Sequence, residues 1–175
     1  MITLTLIDNN ENLEYFHDLY VDAFPIDERR PWHDLENRIN NDERFSAYYI
    51  CDTLGEYVGI ITTWNLGEAT YIEHFAIDSK KRSKGYGTSV LQRLTSMTPL
   101  PVVLEAELAT LDENARRRIE FYERNGFKAS SDFEYIQPAY TANTQPVEMT
   151  LLSHGDINPN KVKRLLYKHV YDAHL

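Results

Sequence analysis

The sequence contains a single cysteine, Cys51, so no disulfide can close within the chain, and a reducing compartment, the cytoplasm, is the expected home. No apolar run approaches the roughly 18 residues that mark a membrane-spanning helix. The opening MITLTLIDNN alternates apolar with polar residues and lacks the charged start of a secretory signal, so neither export nor a membrane partner is expected. Basic charge is scarce: 18 Lys and Arg face 27 Asp and Glu, a net −9, which argues against a nucleic-acid partner because a phosphate backbone needs a basic face. The six histidines include no helix pair spaced for a metal ion, and no metal is expected. Repeats and low-complexity segments are absent as well.

What remains is the composition of a packed enzyme-sized domain. At 175 residues, 42% hydrophobic and 12% aromatic, the chain can bury one sizeable core, and a single domain over 1–175 is expected. Ile2, Leu4 and Leu6 alternate with threonines as a first strand with one buried face. Helical spacing follows over 11–24 and again, in a shorter helix, over 34–41. Residues 45–51 and 57–64 read as a hairpin, and 71–77 as a third strand of the same meander. A helix with Val90, Leu91, Leu94 and Met97 inward comes next, then a strand over 102–108. Thr110 to Glu113 has the form of a capping box, so the next helix is predicted to start there and to end at Gly126. Residues 127–136 and 147–152 read as a closing strand pair. A basic amphipathic helix over 158–175 carries Val162, Leu165, Leu166 and Val170 on one side, to pack on the domain or on a second subunit, so a homodimer is one candidate assembly.

The segment joining strand 71–77 to its helix is the most informative stretch. Lys80, Lys81, Arg82 and Lys84 concentrate positive charge in an otherwise acidic chain, and Gly85 and Gly87 leave the backbone open to close approach. A helix N-terminus behind such a turn favours an anion, with phosphate the natural candidate. No Gly-Lys-Ser/Thr follows and no third glycine completes a dinucleotide fingerprint. The competing reading is a solvated surface turn or a basic nucleic-acid patch.

Arg82-Ser83-Lys84-Gly85-Tyr86-Gly87 directly after a strand resembles the Arg/Gln-x-x-Gly-x-Gly/Ala signature of GNAT-family N-acetyltransferases, and Phe121-Tyr122-Glu123-Arg124-Asn125-Gly126-Phe127 resembles the helix-ending motif of the same family. The resemblance covers residues 2–152. It implies the GNAT fold, a mixed and mostly antiparallel sheet flanked by helices, with the C-terminal helix added to the shared core. It also implies acetyl-CoA as co-substrate and a small-molecule or peptide amine as acceptor, attacked directly. In the family pattern Arg82, Ser83, Lys84, Gly85, Tyr86, Gly87 and Thr88 hold the pyrophosphate, and Phe75, Ala76 and Ile77 offer backbone groups to the pantetheine arm. Tyr122 takes the place of the tyrosine that protonates the departing thiolate, a phenol of pKa about 10 acting on a thiolate of similar basicity. A core tyrosine is the competing reading.

Glu73, a carboxylate in an apolar strand, stands where family members carry the general base, its pKa expected to be raised by desolvation. His74 is the rival, and strict strand alternation lets only one of the two face a given site. Glu28, Trp64 and Glu105 are the candidate acceptor contacts, Trp64 as a wall and Glu105, with Glu107, as negative charge. Seven residues before Tyr122 the family has an asparagine on the cofactor where this chain has Ala115, and Arg116 or Arg117 would have to compensate. A catalytically silent acyl-CoA-binding regulatory module is the alternative to an enzyme.

Overall fold

The computed structural model describes residues 2–8 and 13–173. Its elements run β1 (Thr3–Leu6), α1 (Glu14–Ala23), α2 (Trp32–Asn41), β2 (Phe45–Cys51), β3 (Tyr57–Asn65), β4 (Thr70–Ile77), α3 (Tyr86–Met97), β5 (Val102–Glu107), α4 (Glu113–Arg124), β6 (Lys128–Ala129), β7 (Tyr135–Gln137), β8 (Val147–His154) and α5 (Pro159–His169), with short 3-10 turns at Ile26–Glu28 and Ser79–Lys81. The strands form one sheet in the order β1-β2-β3-β4-β5-β8-β6, with β7 also paired to β8. Every pairing is antiparallel except that of β4 with β5. The α/β architecture and the added C-terminal helix are those expected from the sequence.

Both faces of the sheet are covered. Phe16 and Tyr20 of α1, Leu35 of α2 and Val162 and Leu166 of α5 pack on one face with Tyr49, Trp64 and Tyr71. Val90, Leu91 and Leu94 of α3 and Ile119 and Tyr122 of α4 pack on the other with Ile61, Ile72 and Leu104. Each large side chain buried in this way contributes about 1.5–3 kcal/mol. The α5 helix, which the sequence leaves free to pack on the domain or on a second subunit, packs on its own domain.

Several boundaries differ from expectation. Leu6 is 56% exposed, because β1 is an edge strand with β2 as its one partner, and Ile2 and Ile7 supply the buried contacts instead. Met97, the last residue of α3, is half exposed. The N-cap of α4 is Asp112, whose carboxylate accepts from the Ala115 N–H at 2.8 Å, and the capping box at Thr110 does not form. The long strand over 127–136 divides into β6 and β7, since Ser130-Ser131-Asp132 favours a turn and the Phe133 N–H closes one on Ser130 O at 3.1 Å. Positions 9–10, the first two positions of the 11–24 helix and positions 174–175 lie outside the described residues.

One contact sets how closely β3 and β4 approach. A Cβ on Gly59 would sit 2.4 Å from the main-chain oxygen of Ala76, which cannot swing aside. Gly59→Ala is therefore expected to cost about 1–3 kcal/mol, as overpacking does, read as a lower midpoint of urea unfolding; an unchanged midpoint would mean the strands have slack.

Candidate active site

The parallel pair β4 and β5 is joined only at Thr70, Tyr71 and Ile72, opposite Val102, Val103 and Leu104. Beyond Ile72 the two strands part. β4 keeps its pairing to β3 through Ile77, and β5 keeps its pairing to β8 through Glu107, so each strand turns an unpaired edge toward the gap. Phe75, Ala76 and Ile77 lie on that β4 edge. Backbone donors and acceptors along it are suited to an extended chain of amides.

At the end of this edge the chain makes the basic turn. Ser83 and Gly85 both take positive φ, 64° and 77°, and Gly85 is the N-cap of α3. The first helical bond is that of the Ser89 N–H to Gly85 O, so the N–H groups of Tyr86, Gly87 and Thr88 in the first turn of α3 have no partner within the helix. Free amides at a helix N-terminus behind a basic turn favour an anion. Gly85 adopts a conformation that an L side chain resists, whereas Gly87 is needed for space: a Cβ there would meet Phe121 at 3.0 Å and Phe75 at 3.8 Å. The turn, the β4 edge and α4 thus converge. Of the basic side chains, Lys81 is paired with Glu56 at 2.7 Å and Arg82 donates to Ile77 O at 3.1 Å. Arg116 and Arg117 are engaged with Glu113 and, for Arg116, Glu120 on their own helix, and Ala115 is buried.

Tyr122, on α4, is 8% exposed, its ring packed against Phe121 and Phe127. The hydroxyl makes no hydrogen bond among the described residues, yet it is not one of the sealed, unpartnered polar atoms, so it keeps a small contact with solvent. Burial, partly offset by Arg118, pushes its pKa up to about 12. It is therefore a weaker acid than an ordinary phenol and is fully protonated at neutral pH.

The carboxylates differ most from expectation. Thr62 pairs with His74 and Thr63 with Ile72, so Glu73 is the extra residue of a β-bulge. Alternation is broken there, and Glu73 and His74 lie on the same face, contrary to the sequence reading. The Glu73 side chain is 0% exposed and accepts from Arg30 at 2.8 Å, Trp64 Nε1 at 2.8 Å and Tyr140 Oη at 3.0 Å. Burial alone would raise its pKa, but the Arg30 guanidinium, with His74 and the Trp64 indole, holds it below the usual carboxylate range, the reverse of the expected direction. His74 is 1% exposed, with Nε2 at 3.2 Å from Glu28 O and Nδ1 at 3.3 Å from Thr62 Oγ1. Burial lowers its pKa to about 4. Both groups are therefore poor proton acceptors at neutral pH, Glu73 because Arg30 neutralises it and His74 because burial disfavours its charged form. Trp64 is 0% exposed and is a core residue rather than a pocket wall.

Glu105 accepts from three phenols, those of Tyr71, Tyr135 and Tyr171. Glu28 is half-buried in the turn before α2; burial and the neighbouring Glu107 raise its pKa, offset by Arg118, which itself pairs with Glu107. Glu28 and Glu107 therefore come together where β5 ends. The partners missed from sequence are Arg30, Tyr71, Tyr135, Tyr140 and Tyr171. The 12 tyrosines were the one hint, a number large enough to suggest that some serve as buried donors. Among the described residues no cluster of His, Cys, Asp and Glu could hold a metal ion, and no helix is long and apolar enough to cross a membrane.

A sheet parted between two parallel strands, with main-chain donors at the helix beside the gap, is the GNAT type of fold. Residues 13–127 match the family profile described as acetyltransferase (GNAT) family, and the chain belongs to that family. A solved structure from Bacteroides thetaiotaomicron, named as a candidate GNAT acetyltransferase, is 30% identical, with 98% of this chain and 99% of that one covered and a TM-score of 0.90. Spermidine N-acetyltransferase from Vibrio cholerae, solved with CoA and spermine, shares the fold at 15% identity, with 87% and 94% covered and a TM-score of 0.63. A dodecameric structure of the same enzyme aligns at 14% identity, with 93% and 97% covered and a TM-score of 0.63. A search of the curated proteins returns no match.

Proposed function

We propose that this protein is an acetyl-CoA-dependent N-acetyltransferase that moves the acetyl group to a primary amine by direct attack. The observation that carries the reading is the set of amides in the first turn of α3 that have no partner within the helix, behind the basic turn and at the end of the free β4 edge. Ser83 to Thr88 hold the diphosphate, with Lys80 and Lys84 adding charge, while Phe75 to Ile77 pair with the pantetheine amides. That leaves the thioester in the gap between β4 and β5, within the compass of Tyr122. Its protonated hydroxyl supplies the proton to the leaving sulfur. The acceptor ammonium approaches the acidic mouth formed by Glu28 and Glu107, and the name of a fold neighbour, spermidine N-acetyltransferase, supports an amine as the acceptor. Cys51 is 6% exposed at the end of β2 and takes no covalent part.

Titration calorimetry with acetyl-CoA, followed by thiol release with a panel of amines, tests the proposal. Binding of one coenzyme per chain and amine-dependent thiol release are expected. Gly85→Ala, which forces a side chain into positive φ at a cost of about 1–2 kcal/mol, should weaken binding by roughly tenfold. No heat with any CoA species would remove the reading; binding without thiol release from any amine would favour the silent acyl-CoA-binding module.

A further inference from the structure

The reaction needs somewhere for the amine's proton to go, and the two groups the sequence offers, Glu73 and His74, are both engaged. Glu105 is placed differently. It is the first β5 residue beyond the last β4–β5 pair, so it lies where the strands part, on the same face as Glu73. Three elements converge on its carboxylate. Tyr71 from β4 donates to Oε2 at 2.9 Å, Tyr171 from the segment after α5 donates to Oε2 at 2.6 Å, and Tyr135 from β7 donates to Oε1. The Tyr71 and Tyr171 hydroxyls are 3.1 Å apart, so each lies within reach of the other as well as of Oε2. A carboxylate has about four acceptor sites, so one remains. Glu73 is neutralised by a guanidinium, whereas Glu105 has no cationic partner among the described residues and is caged by neutral donors alone.

We propose that the Glu105 carboxylate, caged by the phenols of Tyr71, Tyr135 and Tyr171 at the parting of β4 and β5, is the proton acceptor for the amine in the acetyl transfer proposed above. Glu105 takes one proton from the acceptor ammonium, handed in through its phenol cage. The C–N bond then forms as the C–S bond breaks, and Tyr122 gives its proton to the sulfur. The proton left on the acylated nitrogen restores Tyr122, and Glu105 releases its own to solvent, so one proton is lost per turnover. Burial, opposed by the three phenols and reinforced by Glu73, places the Glu105 pKa at about 7. The other groups facing it, Tyr71, Tyr135, Tyr140, Tyr167 and Tyr171, are all phenols shifted upward, so within this cluster Glu105 alone titrates near neutrality.

The test is the pH profile of kcat/KM for Glu105→Gln with two acceptors, a primary alkylamine and an O-alkylhydroxylamine that is already neutral at assay pH. Loss of a positioned base predicts a fall of roughly 10²–10⁴-fold and a missing ascending limb near pH 7 with the alkylamine, against less than about tenfold with the hydroxylamine. Tyr171→Phe keeps the carboxylate but removes a donor to its charged form, so its limb should move to higher pH; this variant decides if Glu105→Gln does not fold. Carbon-13 NMR titration of the Glu105 carboxyl in the free protein should give a midpoint near 7. A midpoint below about 5, within the ordinary carboxylate range, overturns the inference, as does a retained limb or an equal loss with both acceptors. If acetyl-CoA gives no heat with the wild-type protein, the acetyltransferase reading fails; if it binds normally and the profiles do not change, this inference alone fails.

Discussion

Arg30→Met is expected to cost roughly 3–5 kcal/mol of folding stability, because it strands a buried carboxylate without its cation. Arg30 is 5% exposed and Glu73 0%. The guanidinium joins Glu73 at 2.8 Å and Val170 O at 2.5 Å, and it lies 5.3 Å from the Trp64 ring and 5.1 Å from that of Tyr140. Methionine can fill the space but not the charge. At about 2–4 °C per kcal/mol for a chain of this size, the melting temperature should fall by on the order of 10 °C. The pH dependence carries the sign of the cause. In the wild type the folded pKa of Glu73 is depressed, so its contribution is present above the unfolded carboxylate pKa and is lost as pH falls through the folded value. In Arg30→Met, burial acts without Arg30, the folded pKa rises above the unfolded one, and the deficit should narrow as pH is lowered from 8 toward 5. Combining Arg30→Met with Glu73→Gln should recover most of the loss. A single-variant cost below about 1 kcal/mol, typical of an exposed pair, would mean that water reaches this pair.

The same pair marks where sequence reasoning reached its limit. The basic turn, the α4 motif and the order of elements are local patterns, each written within one or two turns of chain, and the structure forms them as read. The role of Glu73 depended on something no window of sequence holds: a bulge opposite Thr62 and Thr63 that rotates two consecutive residues onto one face. Trp64 and Glu105 were singled out on their strands without their partners, since the Trp64 indole donates to Glu73 and the Glu105 carboxylate accepts from three tyrosines. Tyr71 and Tyr171, whose hydroxyls meet, stand 100 positions apart. Such contacts follow from packing α5 onto the sheet, and local propensity is silent about them.

Tyr122→Phe should lower kcat by about 10²–10⁴-fold, the range for loss of a positioned general acid, with the acetyl-CoA Kd changed less than about twofold. The ring is held at 5.3 Å from Phe121 and 5.8 Å from Phe127, contacts that phenylalanine keeps. The hydroxyl bonds to nothing among the described residues, so its removal orphans no partner and stability should change little. Its elevated pKa, about 12, means the phenol is protonated throughout the range of an ordinary assay, and the deficit should therefore be the same at pH 6 as at pH 9. That flat loss is the opposite signature to the one expected of Glu105, whose removal should matter with an ammonium acceptor and deform the profile near neutrality. Acid and base are thus separable by shape as well as size. A Tyr122→Phe variant with near-normal kcat would return this residue to the core of α4, and the sulfur's proton would have to come from water.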